Sequence, residues 1–76
     1  MREVLRSNDA VLLSFVEVLL RDAGLTPQLV DQHVSAIEGS IGALPRRILV
    51  DADELAQARR VLREAELSQW LSADDD

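Results

Sequence analysis

The sequence predicts an α+β domain in which three antiparallel strands form one sheet and two helices cover one of its faces. Three observations predict it. Two stretches, Asp9–Ala23 and the segment after Asp51, carry apolar residues at helical spacing, and three shorter stretches read as strands. The order strand, helix, strand, strand, helix lets both helices bury their apolar stripes against a single sheet. Between them, the stretch IEGSIGALPRRILVDAD (Ile37–Asp53) joins a glycine-bearing loop, a short apolar strand and a helix cap.

The first strand spans Glu3–Arg6 around Val4 and Leu5. Ser7-Asn8-Asp9 then supplies a helix N-cap, with Asp9 in the first turn where the helix dipole favours negative charge. The first helix runs to Ala23. Gly24 follows at the left-handed C-terminal position, and Pro27 prevents continuation. At 100° per residue, Leu12, Phe15, Val16, Leu19, Leu20 and Ala23 form the expected core stripe. Ser14, Glu17 and Arg21 form a narrow polar face. Val11, Leu13 and Val18 flank the stripe and widen the apolar arc beyond what a two-layer domain needs. They are either half-buried by neighbouring loops or an interaction surface for another subunit or protein.

Gln28–Val34 alternates as a strand, with Leu29, Asp31 and His33 on one face. Gly39 and Gly42 lie in the following connection, and Pro45 opens the next strand, Arg46–Val50. Its Ile48-Leu49-Val50 run predicts a central strand covered on both faces. Asp51 ends it and caps the second helix, with Glu54 completing a capping-box pattern. Leu55, Ala58, Val61, Leu62 and Ala65 form that helix's buried face, and Gln57, Arg60 and Glu64 its solvent face. One domain therefore covers residues 1–67, followed by an acidic, mobile tail over 68–76. The Trp70 segment is open between a fourth strand, a helix extension and a loose end.

A right-handed crossover from the first strand to the second leaves a slot between them, which the third strand fills antiparallel. This is a ferredoxin-like β-α-β-β-α arrangement. Without a fourth strand, the first strand keeps an open edge that invites pairing with another chain.

At 76 residues and 47% hydrophobic, the chain can pack a core without metals or disulfides. The absence of cysteine removes disulfides, thiolate chemistry and cysteine-based zinc sites. No signal-peptide layout is present, and no apolar run approaches the roughly 20 residues that span a bilayer. The expectation is a cytoplasmic protein with no membrane partner. The net charge of −6, half of it from Asp74–Asp76, excludes long-range attraction to nucleic acid. All eight basic residues are arginine, which a G+C-rich genome explains as well as selection for bidentate contacts.

The segments RSNDAVLLSFVEVLLRDAGL and DQHVSAIEGSIGALPRRILVDADELAQARRVL resemble the small bacterial family DUF2007 of prokaryotic signal-transducing proteins. The likeness covers Met1–Leu67 and is most specific from Gly39-Ser40-Ile41-Gly42 through Asp51-Ala52-Asp53. It implies a fold similar to the PII-type nitrogen regulators, which are trimeric and bind nucleotides and 2-oxoglutarate. This chain departs from those regulators in lacking their long exposed loop and any lysine.

Candidate chemistry is sparse. His33, the one histidine, shares a strand face with Asp31 and Ser35, but a row along one strand lacks the convergence that a catalytic relay needs. Asp51, Asp53 and Glu54 could hold a hard cation, although capping already accounts for them. Neither an enzyme nor a cofactor is expected. The loop around Ser40 and Gly42 offers backbone N–H groups for an anion, and Arg46 and Arg47 alternate to opposite faces beside it. A small anionic metabolite would meet His33, Ser40, Gly42, Arg46 and Arg47. The leading reading is a non-enzymatic regulatory module that works by oligomerisation and by binding a protein or a small ligand. The alternative is an anionic-metabolite-binding protein using the 39–47 loop.

Overall fold

The computed structural model describes residues 1–31 and 46–72. Its elements are β1 (Arg2–Ser7), α1 (Ala10–Asp22), β2 (Gln28–Asp31), β3 (Arg46–Val50) and α2 (Leu55–Glu64), with a 3-10 turn before α2 and another after it. The sheet order is β1-β3-β2, and β3 pairs antiparallel with both neighbours. The slot left by the crossover is filled as the sequence predicts.

Ile48 and Val50 project from β3 into the core, where they meet Leu13, Val16 and Leu20 of α1 and Ala58 and Leu62 of α2. Both helices therefore pack on one face of the sheet. Leu49 points to the opposite face and is only half-buried, so β3 is central without being covered equally on both sides. In β1, Val4 and Leu5 are consecutive and both fully buried. Strict alternation would send one of them outward. The pairing register instead slips between Glu3 and Leu5, and this bulge lets both side chains face inward.

The two ends of α1 are built locally. Asp9 is itself the N-cap, its Oδ1 accepting from the Val11 and Leu12 N–H groups at 3.0 and 3.3 Å. Ser7 Oγ accepts from the Asp9 N–H at 2.9 Å and holds the cap in place. At the C-terminus the Leu25 N–H donates to the Leu20 carbonyl and the Gly24 N–H to the Arg21 carbonyl, with Gly24 at φ +87°. This is the paired 6→1 and 5→2 closure of a Schellman motif.

Three expectations are corrected. Leu13 belongs to the core, 2% exposed, and not to an outer flank. Phe15, expected inside, is half exposed, so the buried stripe is Leu13, Val16 and Leu20 with Leu12, Leu19 and Ala23 beside it. The apolar arc of α1 is wide enough to admit either centre, and packing against β3 selects the one next to the polar face. Second, no capping box forms at Asp51, whose side chain makes no cap hydrogen bond. Glu54 reaches across the domain instead, accepting from the Thr26 N–H at 3.3 Å and the Thr26 hydroxyl at 3.1 Å. This ties the α1–β2 connection to the start of α2.

Third, the edge of β1 is covered at one point. Leu71 forms an antiparallel bridge with Leu5, and the Ser72 N–H donates to the Val4 carbonyl at 2.8 Å. The Trp70 segment is a 3-10 turn, Ser68–Trp70, that delivers this one-bridge remnant of a fourth strand. Residues 73–76 lie outside the described part.

Helix α2 ends in the same motif as α1, with Leu67 N–H to the Leu62 carbonyl and Glu66 N–H to the Arg63 carbonyl. Here the left-handed position, φ +64°, is held by Glu66 where α1 uses glycine. A β-carbon at such a φ costs on the order of 1 kcal/mol. Glu66→Gly should therefore raise the unfolding free energy by about 0.5–1 kcal/mol, net of the entropy glycine adds to the unfolded chain. A urea titration reads this as a higher midpoint at unchanged slope; an unchanged midpoint would show that the position carries no strain.

Candidate interaction surface

Core packing on one side of α1 leaves a second apolar stripe on the other. Val11, Phe15 and Val18 follow one another at i, i+4 and i+7, and are 78%, 50% and 63% exposed. This stripe lies on the side of the helix away from Leu13, Val16 and Leu20. Along one border run Ser14, Glu17 and Arg21, and the Arg21 guanidinium donates to the Glu17 carboxylate at 2.8 Å. Half-buried Leu12 and Leu19 border the other side and join the stripe to the core. The three side chains form an exposed aromatic-and-valine ridge along the helix.

Of the predicted interaction residues, Val11 and Val18 lie on this ridge, and Leu13 does not. Phe15 is the member that the periodicity argument missed. Its distance of four from Val11 and three from Val18 is the signal that places it with them.

The outer face of the sheet carries half-buried Leu49 and Val30 beside a cluster of charged side chains. Glu3 sits on it, with Arg6 Nη2 at 3.1 Å and Arg47 Nη1 at 3.9 Å from its Oε1. The Ser72 hydroxyl donates to its other oxygen. Arg47 lies half-buried on this face and Arg46 is exposed, alternating to opposite faces as expected. Arg47 Nε is buried with no hydrogen-bond partner among the described residues. The other anion-site candidates, His33, Ser40 and Gly42, lie outside the described residues. Among those described, no group of three or more His, Cys, Asp or Glu side chains is placed to hold a metal ion. No described helix is long and apolar enough to cross a membrane.

With this geometry, one comparison decides the family. The DUF2007 family model, described as "Putative prokaryotic signal transducing protein", matches residues 1–66. The chain belongs to this family. No curated protein matches it. The DUF2007 span takes in β1 through α2 and both surfaces just described, and stops before the turn that carries Leu71 and Ser72 to the β1 edge.

Burial raises the pKa of Glu3, but the Ser72 hydrogen bond and the Arg6 and Arg47 charges outweigh it and hold the carboxyl below its ordinary value of 4.5. A depressed carboxylate contributes stability that is complete above the unfolded-state value and is lost as pH falls through the folded one. The stability difference between wild type and Glu3→Gln should thus be greatest above about pH 5 and shrink toward acid. Parallel acid-unfolding curves for the two proteins would show that Glu3 contributes nothing.

Proposed function

We propose that this protein is a non-enzymatic signal-transducing module whose working contact is the outer stripe of α1 against the same stripe of a second copy. The observation that carries this reading is the exposure of Val11, Phe15 and Val18 in one line. The family description supports a signalling role. A second copy suits the stripe because the helix is self-complementary about its middle. With a two-fold axis at Phe15 and the helices antiparallel, Asp9 of each copy stands opposite Arg21 of the other. Val11 then faces Leu19, Val18 faces Leu12, and the helix dipoles oppose each other favourably.

Thirteen residues make a helix about 20 Å long. One such contact falls short of the roughly 1,200 Å² that stable complexes bury, so the dimer is weak and concentration-dependent. Weak association suits a switch, because a small free-energy change at the interface alters the population strongly. Sedimentation equilibrium from micromolar to millimolar protein should show the average mass rising toward that of a dimer. Phe15→Glu should remain monomeric while keeping its thermal unfolding transition. A wild type that stays strictly monomeric throughout would sink this reading.

The anion-binding alternative keeps one observation in its favour, the buried Nε of Arg47, which has no hydrogen-bond partner among the described residues. An unmet buried donor costs about 1–3 kcal/mol, which a carboxylate or phosphate oxygen would recover. A thermal-unfolding series with inorganic phosphate, nucleotides and 2-oxoglutarate should then show a stabilising compound, with the shift lost in Arg47→Lys. A shift of equal size in that variant would count against it.

A further inference from the structure

The edge of β1 carries the most completely specified contact that the α1 stripe leaves unused. Four groups meet the dipeptide Leu71–Ser72. Leu5 bridges Leu71, and the Val4 carbonyl accepts from the Ser72 N–H at 2.8 Å. The Glu3 carboxylate accepts from the Ser72 hydroxyl, and Arg59 Nη1 donates to the Ser72 carbonyl at 2.9 Å. Both backbone polar groups of Ser72 and its side chain are thus read by the folded domain.

All four seat residues, Glu3, Val4, Leu5 and Arg59, lie within the residues that the family model matches, and the occupant follows them in the chain. The occupant is joined to the domain by a short connection, although Leu71 itself packs against the core. It follows Glu66, held at φ +64°, and a single 3-10 turn whose Ser68, Gln69 and Trp70 are all exposed.

We propose that the β1 edge is a peptide-docking site for an extended segment of a signalling partner, one with a leucine-sized apolar residue followed by serine or threonine. Leu71–Ser72 occupies the site as an intramolecular competitor. The recognition is strand addition: backbone pairing supplies affinity and the side-chain positions supply selectivity. Leu5 selects the apolar residue. Glu3 selects a hydroxyl donor at the next position and repels an aspartate or glutamate there. A tethered competitor has an effective concentration on the order of millimolar, so a free peptide gains the seat once the tether's own contacts are weakened. The inference uses a surface separate from the α1 stripe and stands apart from that reading.

The test uses the full-length protein and a dye-labelled peptide of the chain's own residues 67–76, LSQWLSADDD, followed by fluorescence anisotropy. The double variant Leu71→Asp, Ser72→Pro empties the seat by removing the apolar contact and the N–H donor. It should bind the peptide at least about tenfold more tightly than wild type does. Adding Arg59→Ala, or replacing the second serine of the peptide by aspartate, should remove that gain, while adding Phe15→Glu should leave it intact. A folded double variant that binds no better than wild type overturns the proposal. Should the double variant fail to fold, amide hydrogen exchange on the wild type decides. The Ser72 amide should exchange well before the β3 amides, and equal protection would show that the segment opens only with the whole domain.

Discussion

Pairing of β3 with both neighbours is the interaction on which the other contacts depend. All five of its residues pair with β1 and four of them, Arg46 to Leu49, also pair with β2, and two of its side chains, Ile48 and Val50, are completely buried where α1 and α2 converge. Each such side chain is worth about 1.5–3 kcal/mol of burial. The polar contacts around them are individually weaker. Exposed pairs such as Arg6–Glu3 and Arg21–Glu17 contribute at most about 1 kcal/mol each. The helices are therefore oriented by what β3 presents, and that orientation decides which side of α1 is left facing outward.

Local punctuation in this chain was highly legible. Asp9, Gly24 and Pro27 bound α1 because each has a backbone preference that acts without help from distant residues. Strand β3 was legible at both ends, and the crossover rule was sufficient to place it between β1 and β2. What could not be read was the rotation of α1. Apolar residues occupy so much of its circumference that periodicity supports more than one core-facing direction, and the choice belongs to tertiary packing. Phe15 and Leu13 exchange roles for that reason alone.

Long-range polar partners were equally illegible. Glu54 matches a capping pattern by its spacing, yet its carboxylate is used by Thr26, 28 residues earlier in the chain. The closure of the β1 edge was hidden in the same way. Leu71 and Ser72 sit in a short, acidic-flanked segment with no strand periodicity, and a left-handed Glu66 gives no sequence sign of the turn that glycine would have advertised. The candidate surface was thus half visible: Val11 and Val18 from the excess of apolar residues, and Phe15 only after the core had been located.

The register of β1 has a consequence for how the chain is made. Its partners in β3 lie 39 to 48 positions further on, from Ser7 with Arg46 to Arg2 with Val50. During synthesis, β1 and α1 emerge long before the strand that gives them a sheet to join. Throughout that interval α1 is a helix-forming segment with apolar residues on both of its broad sides, those destined for the core and those of the outer stripe. The nascent chain is consequently most adhesive early, and each increment of delay before β3 emerges prolongs its exposure to chaperones and to other unfinished copies.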